Sequence, residues 1–103
     1  MKIIKCLAEK IEEELHDADD YIALAMAWKD EEPETADLFY TLSVDEMGHM
    51  EKLHQEVTEL IEDYRKDHGD PPKEMMTLYE YLHEKHMKNA TQIRIKQGMY
   101  KAG

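Results

Sequence analysis

The chain is expected to be all-α, with a long antiparallel helical hairpin followed by a third helix. Three observations lead there. Its 103 residues include only four Gly and three Pro, against abundant Glu, Lys, Leu, Met and Ala, the straight-chain and small residues that lose least on entering a helix. Breaker chemistry is confined to DEEPET, residues 30 to 35, and HGDPP, residues 68 to 72. Between them, apolar residues recur at alternating spacings of three and four, the period of a helix face packed against a neighbour.

The first helix is predicted over about residues 3 to 29, with a seam of Ile4, Leu7, Ile11, Glu14, Ala18, Tyr21, Ala25 and Trp28. Seven of these eight positions are apolar or aromatic, and Glu14 interrupts them. The second is predicted over about 34 to 67, since Pro33 suits the first turn of a helix and the neighbouring acids suit its positive end. Its seam runs through Phe39, Ser43, Glu46, Met50, Leu53, Val57, Leu60 and Tyr64, with Glu46 as the charged member and His49 one turn on. Gly69 is suited to end this helix and Asp70 to cap the next one ahead of Pro71. The third helix, over about 72 to 98, carries a weaker stripe of Met75, Tyr79, Leu82, His86 and Ile93, for which the sequence assigns no partner.

One domain of this length buries a modest core, so a second copy is a natural way to cover the seam. Twenty-four acids against thirteen Lys and Arg give a net charge of −11, which repels nucleic acid and anionic membrane and attracts cations. The plainer reading of that charge is a solvated helix surface. Cys6 is the single cysteine, so neither an internal disulfide nor a thiolate cluster forms within one chain. With no signal-like or membrane-length apolar run, a cytoplasmic protein is expected.

Glu-x-x-His occurs four times, as Glu13/His16, Glu46/His49, Glu51/His54 and Glu80/His83. With fifteen Glu and six His in the chain, chance gives roughly one, so the motif alone is a weak signal. Glu46/His49 stands apart because Glu46 lies in the apolar seam and Glu14 interrupts the neighbouring seam in the same way. Burial of one unpaired carboxylate is costly, and of two facing each other more so, unless protons or cations neutralise them. Counting back from a turn near residues 30 to 33, Glu14 and His49 each lie roughly 22 Å from it, at 1.5 Å per residue, with Glu46 one turn closer. The three side chains are expected to meet. Glu and His together, without thiolate, are ligands for iron, manganese or zinc. One Glu and one Glu-x-x-His form half of a di-metal carboxylate set, which two copies about a two-fold axis complete.

Residues 10 to 60 resemble the ferritin-like superfamily, nearest to rubrerythrin-type half-bundles and encapsulated ferritins. The resemblance rests on Glu14 with Tyr21 seven residues later in ELHDADDY, then Glu46-Met-Gly-His49 thirty-two residues after Glu14, and Leu53. It implies a four-helix bundle completed by homodimerisation, in which Glu14 is a terminal carboxylate ligand, Glu46 a bridging one and His49 a terminal imidazole. Two irons would be shared by each dimer, and Tyr21 would hydrogen-bond a ligand carboxylate and orient it. The implied activity is oxidation of Fe(II) to Fe(III), for storage or detoxification. The implied assembly is a homodimer or a ring of dimers, held within a protein compartment by a shell protein.

Other readings of the same residues stay open at this point. Glu14 and Glu46 can be seam acids that pair with bases or set helix register in a scaffold protein. His49 can be a core histidine bonded to Tyr40 or a backbone carbonyl, and Tyr21 a plain aromatic core residue. Glu80 and His83 can supply a separate ligand set, or replace the partner chain if the third helix folds back onto the hairpin. His16, His54 and His86 are expected at the surface or rim. DADDY, residues 17 to 21, lacks the glycine and ligand spacing of a calcium loop, and most of the eight Met residues suit gap-filling in helix packing.

Overall fold

A computed structural model describes residues 1–103. The chain forms three helices and no strands: α1 (Lys2–Trp28), α2 (Pro33–His68) and α3 (Lys73–Ala102). They run up, down and up in a rod of about 56 × 19 × 17 Å. None of them is long and apolar enough to cross a membrane. Pro33 opens α2, where its missing N–H costs nothing. Gly69 ends that helix at φ 76°, its N–H donating to the Arg65 carbonyl at 3.1 Å, a conformation that glycine adopts without a Cβ penalty. Asp70 does not cap α3: that position belongs to Pro72, with no side-chain cap, and Asp70 instead pairs with Arg65 at 3.5 Å. The third helix also continues to Ala102, four residues beyond the expected 98.

The α1–α2 hairpin packs as the seams imply, through Ile4, Ile11 and Ala18 of α1 against Met50, Val57 and neighbours of α2. The third helix lies back along this hairpin, adding Ala90 and Ile93 to the same core, while Tyr100 joins Ile22, Ala25 and Ala36 in a second cluster near the first turn. Hence Ala8, Leu15 and Ile22, one position on from the Leu7, Glu14, Tyr21 column, are buried. The seam expected on α1 is therefore two columns: one closed by α2 and α3, and one left half-open. Trp28, assigned to the seam, is 43% exposed at the end of that open column.

Two polar devices tie α3 to the hairpin. Ser43, fully buried, donates from Oγ to the Ala18 carbonyl at 2.7 Å and accepts from Gln97 Nε2 at 2.9 Å, so one hydroxyl joins all three helices. Near the first turn, the Lys29 ammonium donates to the Tyr100 carbonyl at 2.7 Å and the Tyr100 hydroxyl donates to Asp37.

Candidate metal centre

Glu14 sits midway along α1 and Glu46 and His49 midway along α2, each in or beside the half-open column. Their positions follow from packing. Glu12 and Asp19 of α1 pair with Lys85 and Lys96 of α3, and Glu14, two residues from Glu12, is turned about 200° away on the helix. On α2, Glu51 pairs with Arg94 of α3, and His49 is turned by the same angle from it. The site thus lies on the side of the hairpin that α3 leaves uncovered.

The three side chains converge as counted from the turn. His49 Nδ1 is 3.4 Å from Glu14 Oε2 and 3.8 Å from Glu46 Oε2, and one ligand atom from each residue lies within 4.8 Å of the others. The two carboxylates are mostly covered, with side chains 24% and 20% exposed, whereas His49 is 56% exposed. Glu14 Oε2 is shut off from solvent and, while both acids are ionised, has no hydrogen-bond partner, which is costly for a carboxylate oxygen. Glu46 is pushed up to about 7, first by its hydrogen bond with the neighbouring Glu14, then by burial and by the Glu14 charge, while His49 pulls the other way. Two acids this close share a proton near neutral pH when nothing else neutralises them.

The donor set suits a cation that accepts oxygen and imidazole ligands. His49 bonds neither Tyr40 nor a backbone carbonyl; the two carboxylates are its neighbours. Tyr21, two turns on from Glu14, has its ring stacked on Phe39 at 6.3 Å between centroids, and its hydroxyl makes no hydrogen bond to Glu14 or Glu46.

The other motif histidines go elsewhere. The third helix does fold back, but on the opposite side, so Glu80 and His83 do not join the site; His83 stacks on His54 at 4.7 Å. His86, expected at the surface or rim, is buried at 3% exposure, with Nε2 lacking a partner, and His54 is half-buried. The departure of His86 arises because α3 covers this side of the hairpin, where His54 keeps its expected place at the rim, and burial lowers the basicity of both rings. His16 is exposed as expected and pairs with Asp20 at 3.4 Å. It converges with Asp17 and Asp20 of the DADDY run, which was set aside as a calcium loop, to form a second, fully exposed group; the His-Asp-x-x-Asp spacing on one helix is the signal for His16 as its third member. No family model matches the chain, and no characterised protein or solved structure matches it either.

Proposed function

We propose that this chain is half of a di-metal carboxylate centre, completed by a second copy, and that it oxidises Fe(II) to Fe(III). The observation that carries the reading is the convergence of Glu14, Glu46 and His49 on the uncovered side of the hairpin, with a Glu14 oxygen left unpartnered. A two-fold axis through that side would face the set with its own copy and supply the two Glu and two Glu-x-x-His of such centres. The half-open flanks of Leu7, Tyr21, Phe39 and Leu53 would gain cover in the same step. Two Fe(II) ions are the substrate. Each loses one electron, and dioxygen takes both electrons with two protons and leaves as hydrogen peroxide. Glu14 and Glu46 hold the ions and neutralise their charge, and His49 supplies a neutral donor. A ring of dimers inside a shell protein, in a cytoplasmic setting, belongs to the same proposal.

Anaerobic titration of the apo protein with Fe(II), followed by oxygen and ultraviolet absorbance, tests it. Saturation at about one iron per chain and fast ferric absorbance, both lost in Glu46→Ala, are expected. Unchanged stoichiometry and rate in that variant would sink the proposal. Saturable binding with oxidation no faster than free iron in buffer would instead make the chain a zinc or manganese binder using the same residues.

A second reading has its own support. With Glu46 pushed up to about 7 by Glu14 and by burial, a shared proton would neutralise the pair without metal, as suits register-setting seam acids in a helical scaffold. It predicts that metal changes neither melting temperature nor oligomer size, and that replacing both acids raises stability.

A further inference from the structure

Along the outer edge of the α1–α3 contact, ion pairs follow one polarity. Glu12 meets Lys85 at 3.1 Å and Asp19 meets Lys96 at 2.8 Å, so α1 gives the acid and α3 the base. One heptad before Glu12 and Lys85 the pattern breaks: α1 presents Lys5 and α3 presents Leu78. Lys5 and Lys2 have no carboxylate at ion-pair distance, although acids outnumber bases 24 to 13 in this chain. Between the helices here runs a groove of about 280 Å³ with no acidic residue in its lining. Its floor is Ile4 and Ala8, both buried, and its walls are Tyr79, Leu82 and Leu78, the last 57% exposed.

We infer that this groove binds a single-chain carboxylate amphiphile, a free fatty acid, with its chain along Ile4, Ala8 and Leu82 and its carboxylate at Lys2 and Lys5. The apolar walls explain the tail, because the exposed Leu78 and the floor beneath it lose contact with water when an alkyl chain lies between α1 and α3. Charge explains the head: these lysines are the unpaired cations at the rim of the groove, so an anion from outside takes the place of the missing acid. The rest of the acidic surface repels the same ligand, which restricts it to this end of the rod. The inference does not depend on the metal reading, since the groove lies on the α3 side of α1 and Glu14 on the other.

Calorimetric titration of the full chain with decanoate below its micelle concentration tests this, with butyrate as the head group lacking a long tail. Saturation at about one decanoate per chain and no measurable butyrate binding are expected. Lys2→Glu with Lys5→Glu, and separately Leu78→Glu, should each weaken decanoate by at least about tenfold. All these positions are exposed, and circular dichroism melts check that each variant is folded. Unsaturable binding, or equal affinity in the lysine variant, overturns the inference. So does a wild-type molar mass by light scattering that falls in Leu78→Glu, since a second copy would then be the occupant, or uptake by anionic vesicles without decanoate binding.

Discussion

Glu46 is the residue whose environment makes the sharpest prediction. Its folded value of about 7 lies above the ordinary 4.5, so between those limits the folded apo chain holds a proton that the unfolded chain has released. The contribution of Glu46 to stability therefore falls as pH rises from about 4.5 through 7, the reverse of the usual salt-bridged acid. Glu46→Gln keeps a neutral side chain of the same shape and removes this dependence. The apo variant should melt about 5 °C higher than wild type at pH 8, with the gap closing at pH 5, as read by circular dichroism. The same substitution should abolish saturable Fe(II) binding if the carboxylate is a ligand. Gly48 beside the site makes a separate case. A Cβ built there meets nothing within 4 Å, so Gly48→Ala should stabilise by about 0.5–1 kcal/mol in denaturant titrations, the helix-propensity difference.

Among the elements, α3 rests on features that acid and single substitutions can unfasten. Its seam with α2 contains the stacked His54 and His83, with His86 buried nearby and Glu12, Lys85 and Tyr79 around them. Burial lowers His54 and His86 below 6.5, so the unfolded chain takes up protons first as the pH falls. Their contribution to stability is present above about pH 6.5 and is lost as pH drops through their folded values. Protection factors of α3 amides by hydrogen exchange should fall between pH 7 and 5 more than those of α1, and His54→Gln should reduce the drop. At the other end of α3, the Tyr100 hydroxyl bonds the Asp37 carboxylate and is pushed up to about 12 by it. Tyr100→Phe should cost about 1–2 kcal/mol in urea titration while leaving α1 and α2 helical.

How far these elements were legible follows from the same contacts. Helix ends marked by Pro33 and Gly69 were readable because each has a backbone reason, and the level meeting of Glu14, Glu46 and His49 followed from helical rise alone. Position along a helix is fixed by counting; which way a column faces is not. The placement of α3 was not legible because its stripe is weak, and with it went the split of the α1 seam, the exposure of Trp28 and the burial of His86. Asp70 was assigned to a cap on local preference, whereas the backbone of Gly69 and the extended Pro72 place the helix start one step later.

For the molecule as a whole, the net charge of −11 sets two copies against each other before any contact forms. A dimer through the open side brings four carboxylates together, so it should tighten with salt and with divalent cation, unlike one held by ion pairs. Sedimentation velocity at 0.05 and 0.5 M NaCl, with and without zinc, should show the dimer fraction rising in both cases. A dimer fraction that falls with salt would point to an ion-paired interface elsewhere on the rod.

Ser43 deserves to be seen as more than a buried hydroxyl. Three rods packed side by side can slide, and a slip of one turn, about 5.4 Å, would keep every apolar column aligned with another. The carboxylates have no power to prevent it, since like charges prefer separation. Ser43, held between the Ala18 carbonyl and Gln97, gives the sliding motion a buried detent in addition to the ion pairs at the rod's surface: α1 and α3 each find their hydrogen bond to it at one axial setting. Glu14 lies four residues before Ala18 and Glu46 three residues after Ser43, so the notch that stops the rods also sets the gauge of the site. A chain with Ser43→Ala would keep its helices and its core while losing the stop that holds two mutually repelling groups level.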